Sequence, residues 1–131
     1  AIMPTEGQGN CLFTISNPSN PYKYLSVKRS GPNTLSIVTG YGEYTISQSV
    51  ADGDKFKIGI TYIRPDSITI AVNNVIEKTT LSIPDQINSL YPGSDYNGKS
   101  DYWESYIVTF VYFSSAIADE ILKLKTKQSI L

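Results

Sequence analysis

The stretch 91-YPGSDYNGKSDYWESY-106 gathers residue types that recognise sugars: four tyrosines, the chain's single tryptophan, and the carboxylates Asp95, Asp101 and Glu104. A flat aromatic ring packs against the C–H face of a pyranose, while Asp and Asn bond its hydroxyls. Five of the fifteen aromatic residues fall within these sixteen positions, so the concentration asks for a reason. Tyr91 closes one β-type run. Trp103 and Tyr106 sit at opposite parity near the start of the next, which puts one of them in a core and the other outside. Between these structural ends remain Asp95, Tyr96, Asn97, Lys99, Asp101 and Tyr102. We take Asp95, Tyr96, Asn97, Asp101 and Tyr102 as the candidate ligand-binding residues, against the alternative of a plain solvated loop. Tyr41 with Glu43, and Tyr22 with Lys23 and Tyr24, offer the same chemistry on a smaller scale.

Other chemistries lack their residues. The chain has no histidine, which removes imidazole relays and imidazole metal sites. With one cysteine, Cys11, it also lacks the usual zinc sets and any intrachain disulfide. No glycine-rich phosphate loop occurs. Glycan hydrolysis by retention needs two carboxyls about 5–5.5 Å apart, and no strand-like run carries alternating acids. The expectation is that the chain is not an enzyme. Calcium wants six to eight oxygens anchored on carboxylates. Asp52 and Asp54 of 52-DGD-54, with 95-DYNGKSD-101, could contribute, although Asp in such places also simply forms turns. We expect no cofactor, with calcium at Asp52 and Asp54 as the exception to test.

These residues must be positioned by strands. Short β-branched and aromatic runs recur between Gly, Pro, Asn and Asp clusters. They predict strands over 11–16, 22–29, 34–39, 44–48, 55–62, 67–73, 75–81, 88–91 and 103–113. Alternation is clearest in Leu35 and Ile37 and in Ile68, Ile70 and Val72, which put apolar side chains on one face and Ser or Thr on the other. The segments 30-SGPN-33 and 40-GYGE-43 read as hairpin turns in which glycine supplies positive φ. The pair 73-NN-74 fits a two-residue turn, since Asn tolerates left-handed φ. Nine short antiparallel strands imply an all-β fold, a two-sheet antiparallel β-sandwich. Only 115-SAIADEILKLKTK-127 breaks the pattern. Ile117, Ile121, Leu122 and Leu124 recur at helical spacing, acids precede lysines along it, and Ser114 or Ser115 can cap its start. One short C-terminal helix laid against the sandwich is expected.

At 131 residues and 40% hydrophobic, the chain is expected to form one domain, residues 1–131, able to bury a core without metal or disulfide. A net charge of −1 with scattered cations argues against nucleic acid. No apolar run is long enough to insert into a membrane. Cys11 is expected as a small buried hydrophobe. The first residue is Ala1 rather than Met, as in a processed product or a piece of a longer chain.

Three segments resemble the concanavalin A-like, laminin-G-like jelly roll. The first is 53-GDKFKIGITYIRPDSITIAVNNVI-76, with Tyr62 ending a strand and 72-VNN-74 where the family has a Val-Asn-Gly hairpin. The second is 83-IPDQINSLYPGS-94, a proline followed by a short strand closing in Gly-Ser. The third is 106-YIVTFVYFSSAIADEILKL-124, a last strand followed by Ala116, Ile117, Glu120 and Ile121 at a helix start. The chain departs by carrying Ala118 where the family's helix begins with Ser, and Ser105 where a Gly is common. It also shows no opening strand of the family's type at 1-AIMPTEGQGNCLFTIS-16. The likeness covers roughly residues 34 to 124 and is most similar to modules of phage tail fibres and tailspikes. It implies a jelly roll with a non-catalytic carbohydrate-binding or adhesion role, in a virion or extracellular setting. The partner would be a surface glycan or another virion protein. A missing first strand would leave an edge that invites pairing, hence a homo-oligomer or a part of a larger chain.

Overall fold

Leu25, Val27, Leu35 and Ile37 are all fully buried, and each is flanked in sequence by residues pointing the other way. That period-two burial is what a strand with one core face produces. The computed structural model describes residues 1–5, 10–95, 102–105, 107 and 117–127. Five strands form one antiparallel sheet in the order β4-β3-β2-β1-β8: β1 (Asn10–Asn17), β2 (Asn20–Gly31), β3 (Thr34–Thr39), β4 (Gly42–Thr45) and β8 (Ser89–Pro92). A three-stranded antiparallel sheet, β5-β6-β7, holds β5 (Ile58–Ile63), β6 (Ser67–Val72) and β7 (Val75–Thr79). The fold is an all-β sandwich with one short helix, α1 (Asp119–Lys125).

One hydrophobic cluster joins the two sheets. Leu12, Leu25, Val27, Leu35 and Ile37 come from the larger sheet, and Ile68, Ile70 and Val72 from the smaller. Met3, Ile46, Val50, Phe56, Ile83 and Trp103 fill the space between them. The segment 46–57, expected to contain strand at both ends, instead crosses between the sheets. Its amides find partners outside any ladder: Ile46 donates to the Leu35 carbonyl (2.9 Å), Val50 to Asn33 (3.2 Å) and Phe56 to Ala1 (2.8 Å). The crossing lets Phe56 drop into the core, and β5 begins at Ile58. Most of the expected last strand, 103–113, lies outside the described residues. Trp103 at its start is not in a strand, and its N–H donates to the Gly93 carbonyl (3.0 Å).

The turns follow the expected chemistry with one correction. Asn73 and Asn74 both take positive φ, 48° and 75°, as a tight two-residue hairpin demands. In 30-SGPN-33, however, it is Asn33 (φ 57°) that is left-handed, and the glycines of this turn and of 40-GYGE-43 are not. Gly40 serves by close approach: a Cβ there would lie 1.8 Å from the Tyr22 carbonyl oxygen.

The outward face of the larger sheet is also covered, which alternation alone does not reveal. Thr14, Ser16, Ser26 and Ser36 are buried on the side opposite Leu25 and Val27. Hydroxyls can be buried when paired. Thr14 Oγ1 bonds Ser26 Oγ (2.8 Å) and donates to the Ser94 carbonyl (2.8 Å), and Ser30 bonds Ser36 (2.7 Å).

The helix is shorter than its apolar spacing suggests. Ala118 stands at its N-cap position with no side-chain hydrogen bond, as the departure from Ser at this position would have it. Ser114 and Ser115 lie outside the described residues. Leu122 is buried against Gly59 of β5, while Ile121 and Leu124 are exposed. Lys78 pairs with Asp119 (2.8 Å), and Thr126 accepts a bond from the Asn74 amide (3.2 Å), so α1 lies across the smaller sheet from β7's far end to the asparagine turn.

Candidate functional site

The base of the candidate loop is clamped to β1. Gly93, left-handed at φ 73°, donates its N–H to the Leu12 carbonyl (2.7 Å). The Ser94 carbonyl accepts Thr14 Oγ1, and Tyr102 forms a parallel bridge with Cys11 further along the same strand. The Trp103 N–H bond to Gly93 closes the base. Asp95 is half-buried and Tyr102 is 55% exposed at the two ends. Tyr96, Asn97, Lys99 and Asp101 lie outside the described residues, as does Tyr106. Trp103 is a core residue, 7% exposed, with its ring edge-on to Phe56 (centroids 6.1 Å apart, planes at 60°). Its indole N–H finds no acceptor among the described residues. Cys11 is buried, as expected of a small hydrophobe.

A second group, read as separate pairs from the sequence, converges at one tip of the larger sheet. Ser26 opposes Val38 and Val38 opposes Glu43, so these three share the outward face. Tyr24, two residues before Ser26 in the same register, falls on that side too, and Tyr22 follows at the irregularity between Asn20 and Tyr24. Tyr41 caps the β3–β4 turn beside them, because Gly40 presses on the Tyr22 carbonyl. The clue in the sequence is this glycine, a position where the two loops touch. Tyr22 is 77% exposed and Tyr41 is 68% exposed. Their backbones are nonetheless fixed. The Tyr22 N–H donates to Asn20 Oδ1 (3.0 Å), and the Tyr41 N–H to Thr39 Oγ1 (3.2 Å), whose hydroxyl donates to the Ser82 carbonyl (2.8 Å). Lys23, between the tyrosines of β2, is bonded to Asp85 (2.8 Å) and Gln86 (3.0 Å). Burial, with smaller contributions from Cys11 and Glu43, pushes the Tyr24 phenol above its ordinary pKa, so it remains a proton donor in the physiological range.

Asp52 serves the fold. Arg29, 3% exposed, donates Nε to Asp52 Oδ1 (3.2 Å) and Nη2 to Oδ2 (2.8 Å), and the Asn33 amide also donates to Oδ1 (3.0 Å). The Arg29 bonds foremost, with the Asn33 amide, hold the Asp52 carboxyl below its ordinary pKa. A guanidinium gripping both oxygens is a poor start for calcium, which would have to displace it. Asp54 is exposed, and its backbone is tied to Ala51 and Met3. Among the described residues no three acidic or cysteine side chains come together, and Asp101 lies outside them.

No protein-family model and no curated protein sequence matches the chain. Among solved structures, an S-layer domain-containing protein from Clostridium thermocellum is similar over 95% of this chain and 66% of that one, at 16% identity and a TM-score of 0.45. A likeness of that size carries no argument about what the chain does.

Proposed function

We propose that the chain is a non-catalytic carbohydrate-binding or adhesion module of a larger virion or extracellular assembly, of the kind that phage tail fibres and tailspikes carry. The observation that supports this reading is the tip at Tyr22 and Tyr41: two tyrosine rings stand out in solvent on backbone that is hydrogen-bonded at each residue. Backbone that is already fixed loses little conformational freedom when a ligand arrives. The clamped loop with Tyr102 at its end offers a second aromatic in the same sheet, at the opposite end of β1. Single sugar contacts are weak, and a module repeated in a homo-oligomer or along a fibre gains avidity from linkage. A glycan microarray tests the reading. Binding that falls in Tyr22→Ala, Tyr41→Ala or Tyr102→Ala supports it, and binding that none of these changes alters refutes it.

A second reading is architectural. Ile63 and Val75 of the smaller sheet and Ile121 and Leu124 of α1 are exposed, and apolar groups in solvent suit packing against another virion protein or a second copy. Sedimentation separates the two readings, since a monomer at high concentration removes self-packing.

A further inference from the structure

We propose that the Tyr22–Tyr41 tip selects uncharged sugar chains and rejects acidic ones, an inference that rests on the glycan-binding reading above. An anionic sugar, whether a uronate, a sulfate ester or a sialic acid, is held by a cation or by free backbone N–H groups. Among the described residues of this tip, the amides and the nearest cations already have partners. The two amides that could form an anion pocket, those of Tyr22 and Tyr41, already donate to Asn20 Oδ1 and Thr39 Oγ1. The cation between the tyrosines, Lys23, has its ammonium on Asp85 and Gln86. Arg64, whose charge reaches Asp85, donates its Nε to the Ile83 carbonyl (3.3 Å), and the next cation on the outward side of β2, Lys28, is six residues beyond Tyr22, about 20 Å along the strand.

What the tip presents is the opposite set. Glu43 is exposed on the same face as Tyr24, two residues from Tyr41, and its charge is felt at the Tyr24 phenol. A carboxylate accepts hydrogen bonds from sugar hydroxyls and repels another carboxylate or sulfate. Exposed rings add the stacking surface that the C–H faces of a neutral hexose or pentose satisfy. Charge and hydrogen-bonding capacity therefore agree on one ligand class, a neutral polysaccharide.

Affinity electrophoresis of the full chain tests this, with mixed-linkage β-glucan, galactomannan or dextran in the gel against polygalacturonate, alginate or heparin. The expected result is retardation by at least one neutral polymer and by none of the acidic ones. Retardation should weaken about tenfold when Tyr22→Ala and Tyr41→Ala are combined. Glu43→Lys should add retention on acidic polymers. Wild-type chain retarded as strongly by acidic as by neutral polymers, in a manner lost with the tyrosines, overturns the selectivity and leaves the tip as a glycan site. Retardation that the paired tyrosine change does not affect, or none in any polymer, removes the tip as a glycan site and this inference with it. Thermal melts of each variant confirm that it is folded, and Tyr22→Phe with Tyr41→Phe, which keeps the rings, should retain binding.

Discussion

Replacing Gly40 by alanine should be far more harmful than replacing Gly31, though both glycines flank hairpins of the same sheet. A Cβ on Gly40 would sit 1.8 Å from the Tyr22 carbonyl oxygen and 2.9 Å from its carbon. Relaxing that pair to an ordinary carbon–oxygen contact of about 3.3 Å requires one loop to move by roughly 1.5 Å. Both partners are main chain, so no rotamer change relieves the clash, and the neighbouring bonds of Tyr22 to Asn20 and Tyr41 to Thr39 resist the motion. Overpacking costs about 1–3 kcal/mol, and a backbone–backbone clash belongs at the top of that range. For a chain of this size about 3 kcal/mol lowers Tm by roughly 10 °C. Around Gly31 an added Cβ meets nothing within 4 Å, and φ is not left-handed. Alanine there should be neutral or gain about 0.4–1 kcal/mol through the unfolded chain. Calorimetry on the two variants gives the comparison, and glycan binding should fall in Gly40→Ala even though both tyrosines remain. Equal melting of the two variants, or full binding by Gly40→Ala, would refute the claim that this contact sets the tip.

Three more outcomes follow from the packing and the titrating groups. Leu122→Ala should destabilise by about 2–3 kcal/mol, the lower part of the range for a buried leucine, because Leu122 is the buried apolar side chain of the described helix; urea midpoints read it. Asp52 has a folded pKa held down by Arg29, so its contribution is present above its ordinary value of 3.8 and lost as pH falls through the lower folded value. Asp52→Asn should therefore flatten the acid limb of the stability–pH curve, and an unchanged limb would count against the pair. Burial, followed by the Glu77 hydrogen bond at 3.0 Å, raises the Tyr44 phenol above 10.0. Its stability is present below that ordinary value and lost as pH rises through the folded one, so Tyr44→Phe should make alkaline unfolding less steep in a pH-jump denaturation series.

The strand layout was legible in the sequence because burial on one face leaves a period of two, as in Leu35–Ile37 and Ile68–Ile70–Val72. The asparagine turn was legible because few residues accept positive φ, and opposite parity left one of Trp103 and Tyr106 for the core, a place that Trp103 takes. Phe56 was misleading: it has the parity of a strand over 55–62, yet its burial comes from a crossing segment whose bonds reach Ala1. Ile121 and Leu124 were misleading for a related reason, since helical spacing does not say how wide a face the sheet covers. Gly59 admits Leu122 and leaves its neighbours in water. For the site, composition found the aromatic loop and the tyrosine pairs. That Tyr24 lies near Glu43, and the Tyr22 backbone against Gly40 beside Tyr41, depends on hairpin register and on one glycine contact, neither of which composition carries. Asp52 looked like a metal ligand because the sequence separates it from Arg29 by twenty-two intervening residues.

The Gly93–Trp103 clamp has a consequence for how such a module can diversify. The bonds that seat residues 93, 94, 102 and 103 on β1 are mostly main-chain contacts, with Thr14 the contributing side chain. They constrain where the intervening chain leaves and returns, and are indifferent to what it contains. Loop closure grows only as the logarithm of length, about 0.6 kcal/mol for each doubling. Lengthening the chain between residues 95 and 102 should therefore cost the sandwich little. The same seam is where a grafted peptide would be inserted by design.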